Sequence, residues 1–147
     1  MKVRRRARVL ALQTLYEVDL ADHAPGKVIQ RHFQEKALPG AGERFANHLV
    51  SGVMANKARL DELISRYAPE WPLDQMAAID RNILRIAIFE FMLDGDTPVK
   101  VAINEAVELA KLFGSNSSAR FVNGVLGSLA ATMGQSVGRK HKTRWSP

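Results

Sequence analysis

Cysteine is absent from this chain of 147 residues. Its absence excludes a disulfide framework, a thiol nucleophile and any thiolate-held metal. Acidic residues are missing from residues 1–15 and from everything after Glu108. Glycine-rich phosphate loops and an HExxH pair are missing too, and His23, His32, His48 and His141 share no ligand spacing. Asp94-Gly95-Asp96 lacks the ligand periodicity and downstream glutamate of a calcium loop. The serines Ser115, Ser117 and Ser118 have no general base at a useful spacing. The chain therefore reads as a non-enzyme with no metal and no cofactor. Long apolar runs are also lacking. Ile86–Leu93 contains Glu90 and is too short to span a bilayer. Gln13, Glu17 and Asp19 interrupt the apolar start too early for a signal peptide, and the two acids weigh against a transit peptide. The expected location is the cytoplasm.

What is present is a globular composition, 46% hydrophobic and 24% charged. The length suits one domain with a real core. The net charge is +6, concentrated at the ends. Lys2, Arg4, Arg5, Arg6 and Arg8 lie at one end, and Arg139, Lys140, Lys142 and Arg144 at the other. Without those nine, 12 basic residues face 15 acids. Basic ends on a mildly acidic body suggest a polyanion partner, most often nucleic acid. Solvated tails or a membrane surface are the alternatives.

No stretch alternates with period two for long, and no repeat is visible, so the fold class is all-α, with six or seven helices. Residues 4–21 form the first, with Val9, Leu12, Tyr16 and Leu20 near one face. Arg4 and Arg8 are four apart and share a surface. Four arginines at a helix start oppose its dipole, and a docked anion would offset that. Pro25-Gly26 reads as a turn, followed by helices over 27–36, 42–55 and 57–67. Phe45, Leu49, Val53 and Met54 point inward, and Asn56 caps the last of these. Two prolines in Ala68-Pro69-Glu70-Trp71-Pro72 end it and mark a boundary between sub-bundles at about 1–68 and 73–133. Asp74 caps a long central helix through Leu93. Arg85 and Glu90 sit in its apolar part and read as satisfied structural charges. Residues 97–130 form a helical hairpin. Thr97 caps its first helix and Gly114 stops it in the left-handed region. Ser117 or Ser118 caps the second, and Gly124 and Gly127 read as close-packing positions. Residues 134–147 read as a disordered basic tail, with Trp145 either loose or stacking on a base. Phe121, beside Arg120, is either a core anchor with Val125 or an aromatic on which a base stacks.

Several stretches are familiar as words. RRRAR with LQTLYEVD, LDELI, ILRIAIFE, and KVAINEAVELAKLFG followed by RFVNGVL resemble, in order and spacing, the NusB family of bacterial transcription antitermination factors. The resemblance covers residue 4 to about residue 129. It implies two packed three-helix sub-bundles and a non-catalytic factor. Such factors bind single-stranded boxA RNA, notably of ribosomal RNA operons, together with the small-subunit ribosomal protein NusE, and join elongating RNA polymerase. Carried over by position, the RNA face includes Arg4, Arg5, Arg6, Arg8, Gln13, Ser117, Arg120 and Phe121. On this footing Phe121 is favoured as a base-stacking residue. The NusE face includes Tyr16, Asp74 and Asp80. Family members often carry an acid where this chain has Ser115-Asn116-Ser117, and that departure would raise RNA affinity by removing repulsion. Rival readings are a helical protein–protein adaptor without specific RNA binding, a relative of an RNA methyltransferase's RNA-recognition domain, and a DNA-binding helix-turn-helix. Self-association through apolar surface such as that around Phe33 and Phe45 is a further expectation.

Overall fold

Helical periodicity without strand alternation gives seven α-helices, and among the described residues no strand, in the computed structural model. It describes residues 2–140, with side chains over 2–133. The chain divides into two compact units, one up to Ala55 and one from Asn56 on. The division therefore falls before α4, not at the proline pair, and the second unit carries four helices.

In the first unit α1 (Val3–Ala21) packs on α2 (Pro25–Glu35) and α3 (Gly40–Ala55). Pro25 opens α2 rather than making a turn, because a first-turn residue needs no amide donor. The buried residues of α1 are Ala7, Arg8, Leu10, Ala11, Leu12, Thr14 and Leu15, so Leu12 and Leu15 point inward as expected. The line expected through Val9, Tyr16 and Leu20 is corrected: Tyr16 is 37% exposed and Leu20 57%. Small side chains at 7, 11 and 14 let neighbouring elements approach closely, which a ranking by hydrophobicity does not register. Thr14 is admissible there because its hydroxyl donates to the Leu10 carbonyl at 2.8 Å. α2 buries Val28, Ile29 and Phe33, and α3 buries Ala46, Leu49, Val50 and Val53. Met54, expected inward, is exposed, and Phe45 is partly so.

In the second unit α4 (Lys57–Tyr67) buries Leu60, Leu63 and Ile64. Asn56 precedes it without a side-chain capping bond. A single long helix from Asp74 to Leu93 does not form. Asp74 lies in a short 3₁₀ turn, Leu73–Gln75, then Met76 and Ala77 are extended, and α5 runs from Ala78 to Ile88. The chain continues in a π-helical turn, Phe89–Asp94, that ends at Gly95 with φ 78°. The left-handed position is thus Gly95, where no Cβ is in the way. α5 is buried on nearly every side, through Ile83, Leu84, Ile86 and Ile88. Arg85 and Glu90 are satisfied as expected. Arg85 grips Asp61 through Nε at 2.7 Å and Nη2 at 3.1 Å, and Nη1 donates to Asn82. Glu90, 2% exposed, accepts from the Thr97 hydroxyl at 2.8 Å. That hydroxyl is therefore not a helix cap, and α6 (Val99–Phe113) begins after Pro98.

α6 buries Ala102, Ala106, Leu109 and Ala110, while Phe113 stays 36% exposed. α7 (Ser118–Lys140) packs on it with Val122, Val125, Leu126 and Leu129 buried. Each such leucine contributes about 1.5–3 kcal/mol by leaving water. Gly114 is extended, not left-handed. It is required for another reason: a Cβ there would meet the Ser118 side chain and stand 2.8 Å from the Ala110 carbonyl oxygen. Gly124 and Gly127 face open space, so the close-packing reading is corrected. α7 covers 134–140 of the stretch read as a disordered tail, and Trp145 lies outside the described residues.

Candidate nucleic-acid interface

The arginines at the start of α1 are not four equivalent surface charges. Arg4 is exposed, and its guanidinium lies 4.1 Å from the Phe45 ring centroid. Arg8 stands 5.1 Å from the same ring and is only 4% exposed. The expected shared surface of Arg4 and Arg8 is therefore a pair of cations at one aromatic ring supplied by α3. Arg6 is partly buried and donates to the Ala37 carbonyl at 2.7 Å. Arg5 and Gln13 are partly buried. Lys2 precedes α1 without a capping side chain, and no acid occupies the first turn. No acid of the first turn offsets the dipole there, so an anion at this end is favoured. Phe33 is buried, and the partly exposed ring of Phe45 lies against Arg4 and Arg8.

Further along α1, exposed Tyr16 adjoins an ion cluster. Glu17 accepts from both terminal nitrogens of Arg31, Nη1 at 3.1 Å, and lies 3.1 Å from His23 Nδ1. Arg31 and then His23 hold the Glu17 carboxyl down to about 2, and Glu17 in turn raises Arg31. His32 Nε2 is buried without a hydrogen-bond partner. Burial, and then the Arg31 charge, push His32 below its usual value.

The second unit holds a groove of about 460 Å³. Its aromatic wall is Trp71 and Phe121, edge to face with ring centroids 6.4 Å apart at 77°. Asp80, Ser117 and Arg120 also line it. Local chemistry shapes this groove. The two prolines keep Trp71 out of any helix, leaving it 53% exposed. Arg81 Nη1 donates to the carbonyls of Leu73 and Met76 and ties the 3₁₀ turn to α5. Ser118 does not spend its hydroxyl on a cap. It accepts from the Ser115 amide at 2.9 Å and closes the loop, while the Ser117 carbonyl takes the first helical bond, from the Phe121 amide. Phe121 is partly exposed, and the core residue beside it is Val122. The core-anchor reading of Phe121 therefore fails.

Of the residues singled out from sequence, the groove gathers Asp80, Ser117, Arg120 and Phe121. Asp74 is exposed and is not among its lining residues. Trp71 was missed. The signal was available, since a tryptophan between two prolines in a polar connection has no helix face to be buried on.

Fold and surface together define a class, an all-α domain of two helical units with guanidinium and aromatic side chains displayed at its surface. Comparison with known proteins narrows it. The NusB family model matches residues 5–131. Transcription antitermination protein NusB of Roseiflexus sp. (strain RS-1) is 50% identical over 131 residues, which is 88% of this chain and 92% of that protein. The protein of the same name from Dehalococcoides mccartyi (strain CBDB1) is 48% identical over 139 residues, 95% of this chain and 97% of that one. Among solved structures, T. maritima NusB matches with TM-score 0.81 and 32% identity, over 87% of this chain and 90% of its own. A chain from the structure of antitermination factors NusB and NusE in complex with dsRNA matches with TM-score 0.82 and 25% identity, over 90% and 98%. The chain belongs to the NusB family.

Proposed function

We propose that this chain is an RNA-binding transcription antitermination factor of the cytoplasm. It binds boxA-type RNA together with ribosomal protein NusE and joins elongating RNA polymerase, notably on ribosomal RNA operons. The action is assembly, with no catalysis and no cofactor. The observation that carries this reading is the second-unit groove, where Phe121 and Trp71 offer aromatic faces beside Arg120 in a member of the NusB family. Aromatic faces with a cation nearby are how unpaired bases are held. Exposed Arg4, with Arg5 and Arg6, supplies attraction to phosphates, and Gln13 and Ser117 extend the RNA contacts. Arg8 acts from beneath, as packing against Phe45. Exposed Tyr16 and Asp74 are the side chains offered to the protein partner. The NusB–NusE relative was captured with duplex RNA, so duplex RNA belongs among the probes.

The test is the salt dependence of binding to a labelled boxA oligonucleotide, against scrambled and duplex RNA. Replacing Arg4, Arg5 and Arg6 with alanine should flatten the slope of log K against log salt by roughly 0.7 for each lost contact to single-stranded phosphate. An unchanged slope removes these arginines from the interface. Absence of RNA binding at physiological salt would instead favour the adaptor reading.

A further inference from the structure

Two like charges meet at one ring near the start of α1. Arg4 and Arg8 are four residues apart on that helix, a spacing at which like charges repel. No acid lies within residues 1–15 to offset them. Phe45 reaches them from α3 instead, with the Arg4 guanidinium 4.1 Å and that of Arg8 5.1 Å from its ring centroid. The negative face of an aromatic ring attracts cations. Phe45 does not belong to the core of its own helix. α3 buries Gly42, Ala46, Leu49, Val50 and Val53, while Phe45 stays partly exposed. The two arginines differ in reach. Arg8 is 4% exposed, so its charge stays behind the surface, whereas Arg4 is exposed.

The kind of contact decides what Arg4 can still do. A carboxylate would hold it by its N–H groups, occupy those donors and set a negative charge where a phosphate has to arrive. A ring attracts the charge and leaves the five N–H donors to other acceptors. Among the described residues no carboxylate pairs with Arg4. Arg4 is thus ordered with its charge and its donors intact. Resting on the RNA-binding reading above, we infer that Phe45 is a positioning residue for RNA. It holds the Arg4 guanidinium ready for a phosphate oxygen and acts through Arg4, without touching RNA itself. A long side chain that is already ordered in the free protein loses little further rotamer freedom on binding. Arg8 packs against the same ring and restrains it from within.

The experiment measures binding of the full chain to a labelled single-stranded boxA oligonucleotide across a salt series. The variants are Phe45→Leu, Phe45→Tyr, Arg4→Met and the pair Phe45→Leu with Arg4→Met, each first shown by circular dichroism to be folded at the assay temperature. Phe45→Leu should weaken binding about two- to tenfold, the worth of ordering one long side chain. It should leave the slope of log K against log salt unchanged, because Arg4 still makes its contact, whereas Arg4→Met should flatten that slope by roughly 0.7. Phe45→Tyr keeps a ring and should restore most of the affinity. In the Arg4→Met background Phe45→Leu should cause no further loss. A second series places phenylalanine carrying one, two or three ring fluorines at position 45, which drains the negative face while keeping the shape of the ring. Affinity should fall stepwise with each fluorine. An equal loss from Phe45→Leu with and without Arg4, or a fluorine series with no effect, overturns the assignment. Either result leaves the RNA-binding reading standing, since the unaltered chain still binds. Failure of the unaltered chain to bind any RNA overturns both.

Discussion

Replacing Phe45 with leucine removes the ring on which Arg4 and Arg8 rest, while keeping an apolar side chain on α3. The two contacts differ in worth. Arg4 is exposed at 4.1 Å from the ring centroid, a setting in which a cation–π contact contributes about 0.5–1 kcal/mol. Arg8 is 4% exposed at 5.1 Å, and a desolvated contact contributes about 2 kcal/mol. Phe45→Leu should therefore lower unfolding stability by about 2–3 kcal/mol, mostly through Arg8. Urea unfolding gives the number, as a shift of midpoint at constant slope. Double-mutant cycles with Arg4→Met and Arg8→Met separate the pairs from loss of packing. The expected couplings are about 2 kcal/mol for Arg8–Phe45 and below about 1 kcal/mol for Arg4–Phe45. Zero coupling in both pairs, or a larger one for Arg4, would mean that the Phe45 ring does not hold Arg8 in place.

Other outcomes follow from single contacts. Asp61→Asn strips the charge facing buried Arg85 and should cost about 3 kcal/mol, seen as a melting temperature lower by roughly 6–12 °C. Phe121→Ala should weaken RNA binding by about 1–3 kcal/mol. If it lowered melting and left RNA affinity intact, its role would be packing. Acid should destabilise the fold in two windows. His32 is held below its usual value of about 6.5, so stability present above that pH falls as it becomes protonated below it. Glu17, held down to about 2, contributes stability above about 4.5 that is lost between about 4.5 and 2. Chemical denaturation against pH should show both losses, with His32→Gln removing the first and Glu17→Gln the second.

The helices of the 97–130 hairpin were legible because apolar residues recur there at helical spacing and Gly114 interrupts them. The reason for Gly114 was not, because the clash is with Ser118, a residue placed by the loop. The break between Asp74 and α5 and the π turn after Ile88 were hidden for a related cause. A segment apolar on most sides fits a straight helix whatever its hydrogen bonding, and what bends this one is Arg81 on two carbonyls and Thr97 on Glu90. The basic α1 was plain in the charge pattern. The different fates of Arg4 and Arg8 were not, since both depend on Phe45 from another helix. On the groove, family words supplied Asp80, Ser117, Arg120 and Phe121, while Trp71 joins them only once the chain has folded.

On the proposed function, RNA and NusE bind this chain together. The most direct measurement is the affinity for boxA RNA by fluorescence anisotropy, with and without saturating NusE, beside the affinity for NusE with and without RNA. Selective boxA binding that tightens with NusE is expected, and by linkage the same factor in the reciprocal experiment. Equal, salt-sensitive binding to boxA, scrambled and duplex RNA, unmoved by NusE, would contradict it.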